Sequence, residues 1–493
     1  MAYELQKYLM IYGIKFVRFV NLTIIVYFFA LNSIYLLQLI FSRSGLLGHL
    51  SRLFFSDYGS ISTSTYTPPI SVLMPAYNEE ATILDSVDSL RKLDYPEAEI
   101  IVINDGSADA TLDTLKEAYT LEPIDKIVRK VKDKGGRVKI ATEPIIGAYR
   151  VGGDVGLLPL IVIDKFQGGK ADALNAGILV SRYPYVCSVD ADSMLEPDAL
   201  LKVVKPIVEN PDLVVASGGV VRVANGCEIT HGRVKTVALP EDRLPMFQIV
   251  EYLRAFLGAR FALGQIRALL IVSGVFAVFR KDVVIGAGGY NRFSLVEDME
   301  LVVDIHRYLR ESRRPYSIVF VPDPIAWTEV PATLKSLARQ RIRWHQGLME
   351  VLLHNRNMLF NPRYGSVGFV AMPYYFIFEM MGPIIELFGY ISIPLAYIFG
   401  ILKFPEFILF IIAAFLFGTF LSIFALLLME SGRRQYGSRR DLLRLSWYGL
   451  LDNVVYRPLV SILRFIGIIH FYRVKREWGE MEHRGFNEGA KAA

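Results

Sequence analysis

The chain contains three long apolar stretches that are candidates for membrane segments. The rest of the chain between the first and second stretches is an ordinary mixed sequence of apolar and polar residues. Residues 20–41 carry no charged side chain, and residues 366–402 and 405–429 are each long enough to cross a bilayer, which takes about 20 apolar residues in a helix. No small-residue cleavage site directly follows the first stretch, which indicates a retained membrane helix rather than a removable signal peptide. The pattern predicts a multi-pass protein of the cell membrane.

A fourth apolar region, residues 445–472, has a different pattern. Asp452, Arg457, Arg464 and His470 interrupt it every few residues, and a charge at the centre of a bilayer costs on the order of several kcal/mol. The pattern therefore predicts a helix that lies in the membrane interface. A crossing helix lined with charges is the alternative.

The sequence between the first two stretches alternates short β-rich runs with helical ones. Such alternation is typical of a mostly parallel sheet with helices on both faces. In open sheets of this kind, ligands bind beyond the carboxyl ends of the strands, and polar side chains fall at several of those ends here. The predicted strands are residues 70–77, 99–104, 160–164, 185–189, 269–279 and 318–321.

Composition and charge narrow the range of partners. The net charge of +5 is small for 493 residues, and the basic residues gather beside the membrane segments, which argues against nucleic acid and for anionic lipid headgroups. Arg433, Arg434, Arg439 and Arg440 follow the third apolar stretch, and such clusters favour the cytoplasmic side. The large middle domain is therefore predicted to face the cytoplasm.

Two candidate donor-binding residues follow predicted strands. Asp105 ends an apolar run just before Gly and Ser, and its carboxylate can accept hydrogen bonds from a uracil ring or a ribose, although an Asp that only caps a turn has the same pattern. Lys170 follows two glycines at a predicted helix start, which suits phosphate, with a plain helix entry as the alternative. The spacing is not that of a Walker loop.

Two acidic pairs are candidates for metal binding and for acid–base chemistry. Asp190 and Asp192 alternate in an extended segment, so both carboxylates point the same way and suit Mg²⁺ or Mn²⁺. Glu297 and Asp298 open a predicted helix, where Asp298 is our candidate for the general base that takes a proton from an acceptor hydroxyl. The alternatives are a surface turn for the first pair and a helix N-terminus enriched in acids for the second.

Residues 340–344 read Gln-Arg-Ile-Arg-Trp and precede the second apolar stretch. Arg343 has the forked donors that neutralise a pyrophosphate, and Trp344 offers a flat face to a sugar ring. The alternative is an interfacial helix with arginines that reach the headgroups and an anchoring Trp.

Taken in order, these motifs carry a resemblance to a known family. The chain resembles membrane-integrated glycosyltransferase family 2, which contains the cellulose, chitin, hyaluronan and poly-N-acetylglucosamine synthases, and it looks most similar to the last of these. One departure is Val296, where many polysaccharide synthases have Thr. Another is the long segment of residues 132–165, to which no chemistry is assigned. The matching motifs are residues 75–79, 104–107, 168–175, 190–192, 297–298 and 340–344.

The resemblance implies an α/β GT-A fold, that is, a Rossmann-like nucleotide-sugar domain, joined to transmembrane and interfacial helices. It also implies a UDP-sugar donor, a divalent metal and inversion at the anomeric carbon. The implied roles are Asp105 at the nucleoside, Lys170 at the diphosphate, Asp190 and Asp192 at the metal and diphosphate, Glu297 and Asp298 in catalysis, Arg343 at the leaving pyrophosphate and Trp344 at the acceptor sugar, with Ala76, Glu79 and Gln340 also lining the donor site.

The expected organisation has three parts: an N-terminal segment at residues 1–65, a cytoplasmic GT-A domain at residues 66–344, and membrane and interfacial helices with a cytoplasmic tail at residues 345–493. The leading function is processive synthesis of a polysaccharide with export, completed by a homo-oligomer or an accessory export subunit. A single transfer to a glycolipid acceptor is the enzymatic alternative. A non-catalytic nucleotide-binding component of a secretion complex is the third hypothesis. It is disfavoured because such a protein would typically lack one of the key residues, and all of these are retained here: Asp190, Asp192, Asp298 and Arg343.

Overall fold

The computed structural model describes residues 2–53, 58–125, 139–151, 157–230, 233–432 and 438–473. Several sequence features therefore lie outside the described residues. These are Arg433 and Arg434, residues 132–138 and 152–156 of the long segment, and the tail from residue 474 onwards.

Most described strands form one large sheet of ten strands, and two more form a separate hairpin. The strands of the described chain are β1 (Ile70–Ala76), β2 (Ala98–Asp105), β3 (Leu121–Pro123), β4 (Ile145–Val151), β5 (Leu160–Lys165), β6 (Tyr185–Val189), β7 (Ser193–Leu195), β8 (Val214–Val223), β9 (Glu228–Thr230), β10 (Arg233–Thr236), β11 (Phe276–Arg280) and β12 (Ser317–Thr328).

The order of the large sheet is β3-β4-β5-β2-β1-β6-β11-β8-β12-β7. Its centre, β5-β2-β1-β6, is parallel as predicted. β11, however, runs antiparallel to both β6 and β8, and the edge strands are also antiparallel to their neighbours. The sheet is therefore mixed rather than mostly parallel, because apolar patterning predicts where a strand lies but not the direction in which the chain enters it.

The helices of the described chain cover the sheet and extend beyond it. They are α1 (Ala2–Leu53), α2 (Tyr58–Thr63), α3 (Ile83–Arg91), α4 (Thr111–Tyr119), α5 (Lys170–Val180), α6 (Ala199–Glu209), α7 (Arg243–Leu253), α8 (Phe261–Gln265), α9 (Lys281–Ala287), α10 (Glu297–Glu311), α11 (Leu334–His354), α12 (Met372–Tyr374), α13 (Gly382–Ile398), α14 (Phe404–Ile411), α15 (Phe417–Gly432), α16 (Arg439–Leu451) and α17 (Arg457–Arg473), with π-helical turns at Arg254–Arg260, Val367–Ala371, Tyr375–Met380, Ile412–Leu416 and Asp452–Tyr456 and 3₁₀ turns at Arg356–Met358 and Pro362–Tyr364.

The carboxyl ends of the central strands meet at one edge of the sheet. Ala76 at the end of β1 pairs with Asn104 near the end of β2, and β6 continues the same parallel register. Every residue of β2 is buried, as expected for a strand covered on both faces. α5 packs closely on these strands because Gly177 leaves room for Leu73 and Ile103, whose side chains lie 3.0 and 3.1 Å from where a Cβ would be. This edge is where a ligand is expected.

Three helices of the described chain are long and apolar enough to cross a membrane, or four if a bent pair counts as one span. Two of them, Ile11–His49 and Phe404–Leu427, contain or overlap the predicted first and third stretches. The bent pair joins Val367–Met380 to Gly382–Ile398 at an angle of 41° and corresponds to the second stretch. The bend coincides with Gly382 and its following proline, which favour a break there.

The apolar helices α1, α13 and α14 pack side by side through Phe28, Ile393 and Phe410. At one end of this bundle Arg18 forms an ion pair with Glu406. At the other end α1 reaches the sheet domain, where Gly45 packs against Phe261 of α8. The bundle therefore has one end on the sheet domain and the other end far from it.

The fourth apolar region, α16 and α17 with the π turn between them, contacts the sheet domain at both ends. Near its start, Arg444 donates a hydrogen bond to the carbonyl oxygen of Pro240 at 3.0 Å. Near its end, a Cβ on Gly467 would lie 3.1 Å from the carbonyl oxygen of Ile342 in α11. Both ends of this region therefore contact the sheet domain. By length and composition residues 439–472 also suffice to cross a membrane, so the interfacial location stays a prediction.

Candidate active site

Lys170 joins the two acidic motifs predicted from the sequence. Its Nζ lies 2.6 Å from Asp190 Oδ1 and 3.1 Å from Glu297 Oε1. Lys170 is the first residue of α5 and follows Gly169, whose φ of +88° is a conformation that glycine adopts readily. These carboxylates, together with the nearby Asp298, raise the pKa of Lys170 far above its usual value against the opposing effect of burial. Lys170 is therefore charged at any physiological pH.

Asp190 and Asp192 lie in the turn between β6 and β7. The turn is held by a hydrogen bond from the Asp190 N–H to the carbonyl oxygen of Val275 at 3.3 Å, and by one from the hydroxyl of Ser193 to Asp192 Oδ1 at 3.1 Å. Burial, opposed by Lys170 and reinforced by the neighbouring Asp192 and Glu297, raises the pKa of Asp190 to about 7. The carboxylates in this turn are thus crowded with negative charge.

The negative charge around Asp190 and Asp192 bears on whether a metal ion fits the site. Four carboxylates lie near the ammonium of Lys170 or near one another, those of Asp190, Asp192, Glu297 and Asp298. A divalent cation would offset part of the repulsion between them. Among the residues that the structure describes, no group of three or more His, Cys, Asp or Glu side chains is arranged to hold a metal ion. Asp190 and Asp192 stay the predicted metal ligands, and a cation held by these two carboxylates would take its other oxygen ligands from water and a diphosphate.

Asp298 lies on the other side of the same cluster, at the second position of α10. Burial and the neighbouring Glu297 raise the pKa of Asp298, while Lys170 and Arg260 lower it. Its carboxylate packs against the backbone of Gly274, where a Cβ would lie 2.8 Å from Asp298 Oδ2. A partly exposed carboxylate with a raised pKa is suited to accept a proton.

The segment at residues 340–344 lies in α11. Arg343 and Trp344 are partly exposed, and Gln340 is buried with an Oε1 that has no hydrogen-bond partner among the described residues. These three residues share one face of the helix because they are spaced by three and four positions. The predicted binding roles require Arg343 and Trp344 to be partly exposed, as they are on that face. The roles themselves stay predictions.

Arg341 is held by the protein itself. It forms two hydrogen bonds of 2.7 Å with the carboxylate of Glu251, which also accepts one from the hydroxyl of Tyr456 at 2.9 Å. The guanidinium carbon of Arg341 lies 4.6 Å from the centre of the Trp344 ring. One of the two arginines in this segment is thus a structural residue that orients the Trp, a division that spacing alone does not reveal.

The remaining predicted donor-binding residues lie at the carboxyl ends of β1 and β2. Asp105 is buried, and its carboxylate accepts hydrogen bonds from Lys165 and from the N–H groups of Gly168 at 3.0 Å and Gly169 at 2.6 Å. Ala76 is 2% exposed, so only its backbone is near the edge. Glu79 accepts a hydrogen bond from Thr82 at 2.7 Å, at the entry of the following helix.

A second set of charged residues stabilises the loops around the site, and the sequence analysis missed it. The buried Lys165 and Asp172 form an ion-pair network with the partly exposed Arg292. The nearby Asn175 exchanges two hydrogen bonds with the backbone of Tyr290, of 2.8 and 2.9 Å. The available signal was Asp172 itself, since α5 is mostly apolar after this residue and buried acids are usually paired.

Comparisons with known proteins agree with the motif order. A family model described as "Glycosyltransferase like family 2" matches residues 68–347. A poly-β-1,6-N-acetyl-D-glucosamine synthase of Staphylococcus epidermidis is 29% identical over 286 residues, which is 58% of this chain and 56% of the relative. The same-named enzyme of Staphylococcus aureus strain COL is 28% identical over 287 residues, with the same coverage of 58% and 56%.

The chain thus spans just over half the length of the curated relatives that it matches. Among solved structures, a mannosyltransferase from Pyrobaculum calidifontis in complex with GDP-Man and Mn²⁺ aligns with a TM-score of 0.47 and 18% identity, over 87% of this chain and 99% of that chain.

Proposed function

Because this chain belongs to glycosyltransferase family 2, we propose that it transfers a sugar from a UDP-sugar to the end of a growing polysaccharide at the cytoplasmic face of the membrane. The observation that carries this proposal is Lys170, which contacts both Asp190 and Glu297. The contact joins the residue proposed to bind the diphosphate to one proposed metal ligand and to the helix that carries the proposed general base.

The donor is proposed to lie across the carboxyl ends of β1, β2 and β6. Its nucleoside would lie near Ala76, Glu79 and Asp105, and its diphosphate would lie next to Lys170 at the start of α5. Asp190 and Asp192 would hold Mg²⁺ or Mn²⁺, which when bound offsets the charge that builds on the departing diphosphate. The names of the relatives favour UDP-N-acetylglucosamine as the first donor to test.

The acceptor is proposed to approach from the side of α10 and α11. Asp298 takes the proton of the acceptor hydroxyl as its oxygen forms a bond to the anomeric carbon and the bond from that carbon to the diphosphate breaks, which inverts the configuration. Arg343 stabilises the leaving UDP. Gln340, whose amide oxygen has no hydrogen-bond partner within the described part of the chain, lies on the same helix face. The ring of Trp344, already oriented by Arg341, supports the acceptor sugar.

Processive synthesis with export is supported by a cavity that is lined by residues of α1, the π-helical turn at Arg254–Arg260, α13 and α17. The cavity has a volume of about 170 Å³ and is bordered by membrane-directed helices. Ion pairs cross its walls, from Arg464 to Glu379 at 2.9 Å and from Arg254 to Asp452 at 2.8 Å. A hydroxyl-rich polymer suits such walls better than lipid does. Because few apolar helices surround it, we propose that a homo-oligomer or an accessory export subunit completes the path.

The test uses the full chain in lipid nanodiscs with a panel of radiolabelled UDP-sugars and Mg²⁺ or Mn²⁺. We expect UDP release with one preferred donor, a ladder of products, and loss of activity when the metal is chelated. A single lipid-extractable product would instead establish the single transfer to a glycolipid. Absence of UDP release with every donor would contradict the proposal.

The role of Asp298 has its own experiment. We expect Asp298→Asn to lower the rate of UDP release by about 10² to 10⁴, the usual contribution of a general base, while UDP still binds because Lys170, Asp190 and Asp192 are unchanged. Retained UDP release in this variant would remove the general-base assignment. Titration with UDP serves as the control for folding and donor binding.

A further inference from the structure

Several exposed arginines gather on the surface of the sheet domain where the second apolar stretch begins. Within the described part of the chain, none of their side chains forms an ion pair or a hydrogen bond. We call this group the arginine patch, and its members are Arg267, Arg313, Arg314, Arg356 and Arg363.

Three hydrogen bonds bring the patch together from separate segments of the chain. They connect the end of α10, the turns that follow α11 and the loop that follows α8. Each arginine of the patch lies within three residues of one of these bonds. The bonds run from Arg307 to Asn355 Oδ1 at 2.7 Å, from the Tyr364 hydroxyl to Glu311 Oε1 at 3.0 Å, and from the Ser366 hydroxyl to the carbonyl oxygen of Arg267 at 3.1 Å.

The backbone of this surface takes a conformation that favours glycine. Five non-glycine residues of the described chain have a positive φ, and three of them lie here: Arg267 at +55°, Arg313 at +53° and Phe360 at +55°. A residue with a side chain is strained in this conformation, whereas glycine is not. Such strain is typical of functional positions, and the long side chains at these three positions indicate that the side chains themselves are used.

Exposed aromatic side chains border the arginines on the side of the apolar helices. Phe360 is 56% exposed, and its N–H donates to the carbonyl oxygen of Gly368 at 3.0 Å, at the start of the bent apolar pair. Phe369, in the same start, is 53% exposed. Arginines next to exposed apolar side chains are the composition of a surface that lies in a membrane interface.

The ordinary role of a cation at a helix end does not account for the patch. Arg310 already lies in the last turn of α10, where a cation favours the helix dipole, whereas Arg313 and Arg314 lie beyond the end of the helix. Glu311, the acid at this end, accepts its hydrogen bond from Tyr364. The charge of the patch is therefore left for a ligand outside this chain.

We propose that the arginine patch binds the headgroup phosphates of anionic phospholipids in the leaflet next to the sheet domain. Phe360 and Phe369 enter the boundary between headgroups and acyl chains beside the arginines. The charge of the patch and its continuity with the apolar helices both support a lipid rather than a soluble anion. The inference does not depend on which sugar is transferred or whether the product is a polymer.

The test titrates the purified full chain in detergent with dioleoylphosphatidylglycerol, dioleoylphosphatidylcholine and inorganic phosphate, and follows binding by native mass spectrometry. We expect the wild-type protein to bind phosphatidylglycerol about tenfold or more tightly than phosphatidylcholine. The double variant Arg314→Gln with Arg363→Gln should weaken phosphatidylglycerol binding by about tenfold, because each arginine near an anionic headgroup contributes severalfold. Its binding of phosphatidylcholine should not change.

Two matched variants locate the effect. Arg150→Gln with Arg233→Gln removes two exposed arginines from β4 and β10 of the described chain, and phosphatidylglycerol binding should stay at the wild-type level. Arg439→Gln with Arg440→Gln removes two exposed arginines at the start of α16. A loss of phosphatidylglycerol binding confined to either of these variants would overturn the proposal.

Arg313→Gly separates lipid binding from folding. Glycine adopts the positive φ of this position readily, so the variant should keep the thermal stability of the wild type while its phosphatidylglycerol binding falls severalfold. Unchanged phosphatidylglycerol binding in both this variant and the double variant would contradict the proposal. Equal affinity of the wild type for the two lipids, or equally tight binding of inorganic phosphate, would also contradict it.

Discussion

Asp298 has neighbours that oppose one another in setting its pKa. Burial raises the pKa of Asp298, and so does Glu297, the residue just before it, whereas Lys170 and Arg260 lower it. A general base must lose its proton before it can act, so under the proposed role of Asp298 these neighbours set the pH at which activity rises. The acidic pair at the start of α10 therefore lies within a charged cluster, in which Glu297 contacts Lys170 at 3.1 Å.

Two substitutions next to Asp298 should shift the acidic limb of the pH profile of kcat/KM in opposite directions. Glu297→Gln removes an influence that raises the pKa of Asp298, so the rise of kcat/KM with pH should begin at lower pH. Arg260→Gln removes an influence that lowers it, so the rise should begin at higher pH. The measurement is kcat/KM for UDP release from pH 5 to 9, and a shift of both variants in the same direction would contradict the assignment.

Two helices that carry the predicted motifs, α10 and α11, are joined by a close contact. Gly347 in α11 lies against Val296, the residue before α10, and a Cβ on Gly347 would lie 2.6 Å from both methyl carbons of Val296. The valine therefore fills the space that the glycine leaves. This packing explains how an apolar residue is accommodated at a position where many polysaccharide synthases have Thr.

Gly347→Ala should lower the rate of transfer by separating α10 from α11. Overpacking of this kind costs about 1–3 kcal/mol, and the displaced helices carry Asp298 on one side and Arg343 with Trp344 on the other. We expect kcat to fall by about tenfold. Adding Val296→Ala removes both methyl groups and should restore part of the activity, as measured by UDP release.

Gly449→Ala is the matched control for this substitution. Gly449 also lies in a helix, but its nearest neighbour would be 3.4 Å from a new Cβ, which is an ordinary contact. Because Ala favours a helix over Gly by about 1 kcal/mol, this variant should keep full activity. Equal losses in both variants would show that activity responds to any glycine replacement rather than to the contact with Val296.

At the scale of the whole molecule, a GT-A domain sits on one end of a bundle of apolar helices. The predicted fold class is confirmed, and so is the presence of helices able to span a membrane. α1 reaches from the domain to the ion pair between Arg18 and Glu406, which lies next to the turn between α13 and α14. The domain and that turn are therefore expected on opposite faces of the membrane.

Cysteine labelling in whole cells tests this topology. Tyr66 is 86% exposed on the side of the catalytic domain, and Lys403 is exposed in the turn between α13 and α14. With Cys227 replaced by Ser, a membrane-impermeant maleimide should label Lys403→Cys in intact cells and Tyr66→Cys only after permeabilisation. Cys187 is buried and gives no background. The reverse pattern would place the catalytic domain outside.

The amino-acid sequence by itself determined the fold class, the family and the positions of the apolar spans. These features depend on local periodicity and on the order of short motifs along the chain, both of which one sequence contains. The motif order predicts that Asp190, Glu297 and Lys170 belong to one site, and the structure brings them together. The role of each residue in the site stays a prediction until the variants are measured.

Only the tertiary structure decided which distant residues meet. The antiparallel direction of β11, the burial of Lys165 between Asp105 and Asp172, and the pairing of Arg341 with Glu251 depend on contacts between residues far apart in the chain. The residue type alone does not reveal these contacts, because the same lysine or arginine can bind a ligand, face the solvent or pair with a buried carboxylate. The choice among them follows from desolvation and geometry, which exist only once the chain has folded.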